Sequence, residues 1–226
     1  MRRLRNRAFL LIALVAFLFP LSFNQSINAF LYQQDQGIVT QTIINVLFFD
    51  DFNEHIPPEA PDGWRVLAGT WQTATDGSTV YEQIDTSVVR SGSAAGSTTW
   101  TDYFFEVKVK FVKAGSVASR GAILAFRCQN SLNYYFLGIA EDRDLLLLYR
   151  RVWGFDILIA SNSSTIVPNR WYTVRIKIEG QVINVWIDGV RYFTDQNSGG
   201  TIASGKIGLG TRYYHCRFDD VKVSAV

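Results

Sequence analysis

Methionine occurs once and proline five times in 226 residues, and no stretch keeps apolar residues at helical spacing over three turns. A helical scaffold is thereby excluded. Histidine occurs twice, as His55 and His215, in neither a metal-ligand spacing nor a nucleophile motif. No glycine-rich loop follows a strand and opens a helix, so nucleotide phosphates lack a cradle. Charge of one sign is scarce as well. The 22 Lys and Arg face 20 Asp and Glu, and four of the arginines, Arg2, Arg3, Arg5 and Arg7, crowd the first seven positions. Without that segment the body carries 18 basic and 20 acidic residues, a formal charge of about −2. No run of Lys or Arg remains in it, and nucleic acid is excluded as a partner on that ground.

What is present begins with the leader. Residues 1–29 join an arginine-rich start, an apolar run from Ala8 to Leu21 and a small-residue end, Ser26-Ile27-Asn28-Ala29, the three parts of a secretory signal. Cleavage after Ala29 is predicted, which makes the protein secreted or displayed at the cell surface. The alternative is an uncleaved anchor, in which the membrane is met only through this segment, although Pro20 weakens such a helix. Residues 30–45 read as a lead-in strand or spacer, and 46–226 as one folded domain.

Within that domain, segments rich in Val, Ile, Phe, Tyr and Trp alternate with Gly, Asn, Asp and Ser clusters, and aromatic residues make up 14% of the chain. The fold class predicted is all-β, a two-sheet antiparallel sandwich. Strands are predicted over 103–112, 122–129, 134–140, 145–152, 171–179, 182–187, 206–211 and 217–223. Strict alternation in Phe105-Glu106-Val107-Lys108-Val109-Lys110-Phe111 and in Val174-Arg175-Ile176-Lys177-Ile178-Glu179 marks strands with one dry and one wet face. Gly180-Gln181 and Asp188-Gly189 supply hairpin turns. The acidic cluster Glu141-Asp142-Arg143-Asp144 reads as a solvated tip between two strands. Trp64, Trp71, Trp171 and Trp186 are expected to fill the interior.

Cys128 and Cys216 are an even pair in an exported chain, so either a disulfide joins them or both are buried thiols, since Cys128 shares the parity of Phe126. Asn162-Ser163-Ser164 satisfies the glycosylation sequon in a polar turn.

The order of short motifs is more specific than any one of them. Phe48-Phe49-Asp50-Asp51-Phe52, Gly63-Trp64, Gly69-Thr70-Trp71, Phe126-Arg127 and Asn133-Tyr134-Tyr135 are followed by Trp171-Tyr172-Thr173-Val174, Val185-Trp186-Ile187-Asp188-Gly189, Gly205-Lys206-Ile207-Gly208-Leu209 and Phe218-Asp219-Asp220-Val221. This series resembles the concanavalin A-like lectin and glucanase superfamily, and within it the laminin G-like and 3-keto-disaccharide hydrolase-like members. The resemblance covers roughly Val46 to Val226. It implies a jelly roll in which one sheet bends into a concave face that holds a poly- or oligosaccharide.

The glucanase string Glu-x-Asp-x-x-Glu, which would place two carboxylates across a glycosidic bond, does not occur here. No catalytic residue is assigned, and a non-catalytic, lectin-like carbohydrate-binding domain is the leading reading. A 3-keto-disaccharide-type glycoside hydrolase is the second. A structural or adhesion protein of the cell surface, self-assembling by strand addition from Phe30 to Val46, is the third. Sugar binding needs an aromatic platform and planar polar groups. By position in the family, Arg127, Asn133, Tyr135, Tyr149 and Trp153 are the candidates, with Arg127 expected to point away from the core because its parity is opposite to Leu124 and Phe126. The resemblance also implies a structural calcium ion, Ca2+, tying first strand to last through Asp50, Asp51, Asp219 and Asp220. The alternative is that these carboxylates accept backbone amides at strand ends.

Overall fold

The computed structural model describes residues 28–35, 38–118, 120–200 and 202–226. The predicted leader lies outside them except for its last two positions. Among the described residues there are sixteen strands: β1 (Asn28–Asp35), β2 (Ile38–Asp50), β3 (Arg65–Ala68), β4 (Trp71–Thr75), β5 (Thr79–Gln83), β6 (Gly92–Ala95), β7 (Tyr103–Ala114), β8 (Gly121–Asn130), β9 (Asn133–Ala140), β10 (Leu145–Val152), β11 (Phe155–Ser163), β12 (Trp171–Glu179), β13 (Val182–Ile187), β14 (Val190–Asn197), β15 (Lys206–Arg212) and β16 (Tyr214–Ala225). The acidic tip between β9 and β10 forms a single 3-10 turn, Glu141–Arg143, closed by Asp144 in the left-handed region.

The side-chain period of two decides the layers. In β7, Tyr103, Phe105, Val107, Val109 and Phe111 are buried, while Glu106, Lys108 and Lys110 turn outward. β12 repeats the pattern with Tyr172, Val174, Ile176 and Ile178 inside. Two antiparallel sheets result. One has nine strands in the order β1-β2-β16-β7-β12-β13-β14, with β5 added to β16 and β4 to β5. The other has seven, in the order β11-β10-β9-β8-β15-β6-β3. Their inner faces meet in one core that encloses Phe105, Val109, Leu124, Leu137, Ile176 and Phe218 completely. The all-β sandwich expected from the sequence is therefore what forms. The lead-in is part of a hairpin, since β1 pairs with β2 from Asn28 opposite Asn45 to Asp35 opposite Ile38. β3 to β6 and β11 are additional to the predicted strands. Most are too short to carry more than two full alternations.

β8 is irregular at one point. Arg127 adopts φ of 46°, and the register slips there against both β9 and β15. A single extra residue in a strand reverses the parity of everything beyond it. Ala122, Leu124 and Phe126 face the core, and Cys128, which simple alternation would send the same way, lies with Ile123 and Ala125 on the outer face. Gly205 is required beside the bulge, because a Cβ there would stand 2.3 Å from the Arg127 carbonyl carbon.

Candidate functional site

The outer face of the seven-stranded sheet is unusually apolar for a surface. β9 is apolar on both sides. Tyr135, Leu137 and Ile139 point into the core, while Tyr134 and Phe136 point outward and are nevertheless 8% and 4% exposed. They are covered by one another and by neighbours. Tyr134 and Phe136 have ring centroids 5.7 Å apart, and Tyr149 of β10 stacks on Phe136 at 4.9 Å with the planes 18° apart. Tyr149 remains half-buried, so this aromatic cluster presents a ring to the surface.

Arg90, in the loop before β6, is laid across this cluster. Its guanidinium lies 4.9 Å from the Phe136 centroid, donates from Nη2 to Asp156 Oδ2 at 2.6 Å and from Nη1 to the Tyr134 hydroxyl at 2.7 Å. Arg151 donates to the other oxygen of Asp156 at 2.7 Å. Burial would lower the Arg90 pKa, but the contacts with Tyr134 and Asp156 outweigh it, and the net shift is upward. Burial also raises the Tyr134 phenol. With Arg90 donating to its oxygen, the phenol keeps its own proton, which no group among the described residues accepts. A fixed cation, a fixed carboxylate and a phenol O–H thus meet beside an apolar ring. That combination suits a neutral or anionic ligand rich in hydroxyls.

Two cavities flank Arg90. The larger, 510 Å³, runs over β3, β6, β15 and the end of β8, with Ala94, Ala125, Gly208 and Gly210 as a floor almost free of side chains. The smaller, 240 Å³, lies over β8, β9 and β10 and includes Phe136, Tyr149 and Asp156. Both include Arg90 and Ile123, so they form one groove across the sheet. Among the described residues lining them, Asp156 is the one carboxylate.

The five predicted ligand residues separate. Tyr149 lines the groove. Arg127 does not, because its side chain is 3% exposed and closes one end of the core. It donates from Nε to the Thr101 carbonyl at 2.9 Å, from Nη1 to the Gly180 carbonyl at 2.7 Å and from Nη2 to Asp102 at 3.0 Å. The bulge is what overrides its parity. Tyr135 is fully buried against Phe126, and its hydroxyl accepts the Ile202 amide. It shares parity with Leu137 and Ile139, a signal the sequence did carry. Asn133 shapes the loop before β9, accepting the Trp153 amide at 3.1 Å, and Trp153 stands 75% exposed at the β10–β11 turn. Neither lines the groove. Arg90, Tyr134, Phe136, Arg151 and Asp156 were missed. The two-sided apolarity of β9, too much for a strand with one wet face, was their only sequence signal.

Other expectations also meet the structure here. Cys128 and Cys216 are free thiols on opposite faces, Cys216 inside the core and Cys128 on the groove floor, where burial pushes its pKa up to about 12. No disulfide joins them. Trp64 and Trp71 do fill the interior, but Trp171 and Trp186 lie on the outer face of the nine-stranded sheet beneath Lys110 and Arg191. The implied calcium ligands do not fit a metal. Asp50 accepts the Trp64 indole N–H at 2.8 Å and the Phe52 amide at 2.8 Å, Asp51 accepts the Asn53 amide, Asp219 accepts Ser78, and Asp220 pairs with Lys108. Among the described residues no three His, Cys, Asp or Glu side chains gather to hold an ion. Asn162 is exposed, with its amide donating to the Tyr192 carbonyl.

Two antiparallel sheets packed face to face, with a groove on one outer face, make a β-sandwich. The model of the 3-keto-alpha-glucoside-1,2-lyase-like domain matches residues 51–224, and the chain belongs to that family. Solved structures share the fold. The carbohydrate-binding module CBM66 of Bacillus subtilis is 22% identical, with a TM-score of 0.61 over 72% of this chain and 96% of its own. Domain 4 of AbnA, an extracellular GH43 arabinanase from Geobacillus stearothermophilus crystallised with arabinotriose, is 10% identical, with a TM-score of 0.59 over 80% of this chain and 93% of its own. A Bacillus subtilis protein of unknown function with a galectin-like fold is 15% identical, with a TM-score of 0.61 over 80% of this chain and 96% of its own. A comparison with curated proteins finds no match.

Proposed function

We propose that the chain is a non-catalytic carbohydrate-binding domain acting outside the cell, and that its site is the groove on the outer face of the seven-stranded sheet. The observation that carries this reading is the Tyr149–Phe136 stack set beside Arg90, Tyr134 and Asp156. An open aromatic ring takes the apolar face of a pyranose or furanose, and the polar trio takes its hydroxyls. Two structural neighbours, a carbohydrate-binding module and a domain crystallised with arabinotriose, support it. Hydrolysis by a carboxylate pair needs two such groups across the scissile bond, and Asp156, already bound by two guanidinium groups, stands alone among the described lining residues.

The test is calorimetric titration with a panel of oligosaccharides. Binding by the wild type and a loss of about tenfold or more in Tyr149→Ala, at little change in melting temperature, is the expected result. Unaltered affinity in that variant would remove the site from this groove. Release of a 1,5-anhydro or reducing sugar from a 3-keto-disaccharide would instead favour an enzyme.

A further inference from the structure

The groove gathers positive charge that the chain as a whole does not have. Arg65, Arg90, Arg120, Arg143, Lys206 and Arg212 line its two cavities, against the single carboxylate of Asp156. Two of the six are already neutralised, Arg90 by Asp156 and Arg120 by Glu141 at 3.8 Å. The other four, Arg65, Arg143, Lys206 and Arg212, have no carboxylate within salt-bridge distance among the described residues. They come from β3, the turn after β9, and the two ends of β15, so they sit around the groove rather than in one spot. A cleft lined by one sign of charge over low-dielectric walls focuses its field on whatever enters. Guanidinium forks match carboxylate and sulfate oxygens in pairs, which a neutral sugar does not use.

We infer that the ligand of this groove is an anionic saccharide, one that carries carboxylate or sulfate groups along a hydroxyl-rich chain. The inference rests on the saccharide reading given above and adds the charge of the ligand to it. A single-stranded nucleic acid fits less well, because it needs aromatic planes for successive bases. Here Tyr134 and Phe136 are covered and Tyr149 is the one partly open ring of the stack.

The experiment titrates the full chain with trigalacturonate, a sulfated galactan trisaccharide, neutral galactotriose and an oligothymidylate of equal charge. The expected result is that at least one of the two acidic sugars binds about tenfold or more tighter than galactotriose. The advantage should shrink as sodium chloride rises from about 50 to about 500 mM. The variant Arg65→Gln, Arg143→Gln, Lys206→Gln, Arg212→Gln should lose it while keeping its affinity for galactotriose. The same change at Lys108 and Lys177 on the other sheet should leave it intact. Which acidic sugar binds tells uronate from sulfate. Equal affinity for charged and neutral sugars overturns the inference and leaves the saccharide reading standing. Binding of no sugar overturns both, and an oligothymidylate that binds as tightly as the acidic sugars shows a site for charge alone and overturns the inference as well.

Discussion

On the outer face of the nine-stranded sheet, Lys108 lies against Asp220, Lys110 against Asp76, Arg175 against Glu106 and Lys177 against Glu179. On the outer face of the seven-stranded sheet, Arg65, Arg143, Lys206 and Arg212 lie against no carboxylate among the described residues. The first face follows from strand pairing. Arg175 and Glu106 are opposite one another in register, as are Arg217 and Glu82, so alternating charges on adjacent strands satisfy each other. The second face has a paired group, Asp156 with Arg90 and Arg151, set among apolar residues, and around it four further cations without a carboxylate among the described residues. A face on which most charges meet an opposite charge needs little beyond water to complete it. One whose charges are left open around an apolar floor is completed by something else.

This contrast can be pressed hardest at the arginine that the protein encloses itself. Arg127→Ala should cost about 2 to 4 kcal/mol in urea denaturation, since it strands the Thr101 and Gly180 carbonyls, while the half-exposed Asp102 keeps the Gly180 amide. A cost near that of a surface change would mean that the end of the core is open to water, and would blur the distinction between the two arginine environments.

Acid should next act on the paired face. Burial works to raise the Glu82 carboxyl, but hydrogen bonds from His215, Arg217 and Gln72 outweigh it and hold it at about 2. A carboxyl with a folded pKa below its unfolded value of 4.5 adds stability that is complete above 4.5 and is lost as pH falls from there towards 2. Melting temperatures across that window should fall more steeply for wild type than for Glu82→Gln. Parallel curves would show that the pair contributes nothing. Asp50 and Asp219, whose pKa values burial raises, act in the opposite sense and flatten both curves alike.

The smallest effects separate the faces most cleanly. Trp186→Ala removes a ring that lies 5.2 Å from Arg191 on the outer surface, and should cost about 1 kcal/mol, not the amount a core indole would. Arg212→Gln, at the open groove, should cost about 0.5 kcal/mol or less while acting on ligand affinity. A large loss of stability in the second would mean that the open cation has a structural partner.

The sequence by itself determined the fold class, the position of eight of the sixteen described strands, the hairpin turns and the family. All of these depend on local alternation and on glycine or asparagine at turns, which neighbouring residues specify. Of the residues singled out by position in the family, Tyr149 is the one that lines the groove. The tertiary structure alone decided which side of β8 and β9 is the groove. One bulge at Arg127 reverses parity in a way no alternating pattern reveals, sending Cys128 out and drawing the arginine in. It also decided the charge of the groove. Arg65, Arg90, Arg120, Arg143, Lys206 and Arg212 are spread over nearly 150 positions of a chain with no basic run and a body of slight negative charge, and only antiparallel pairing over long sequence separations brings them to one face.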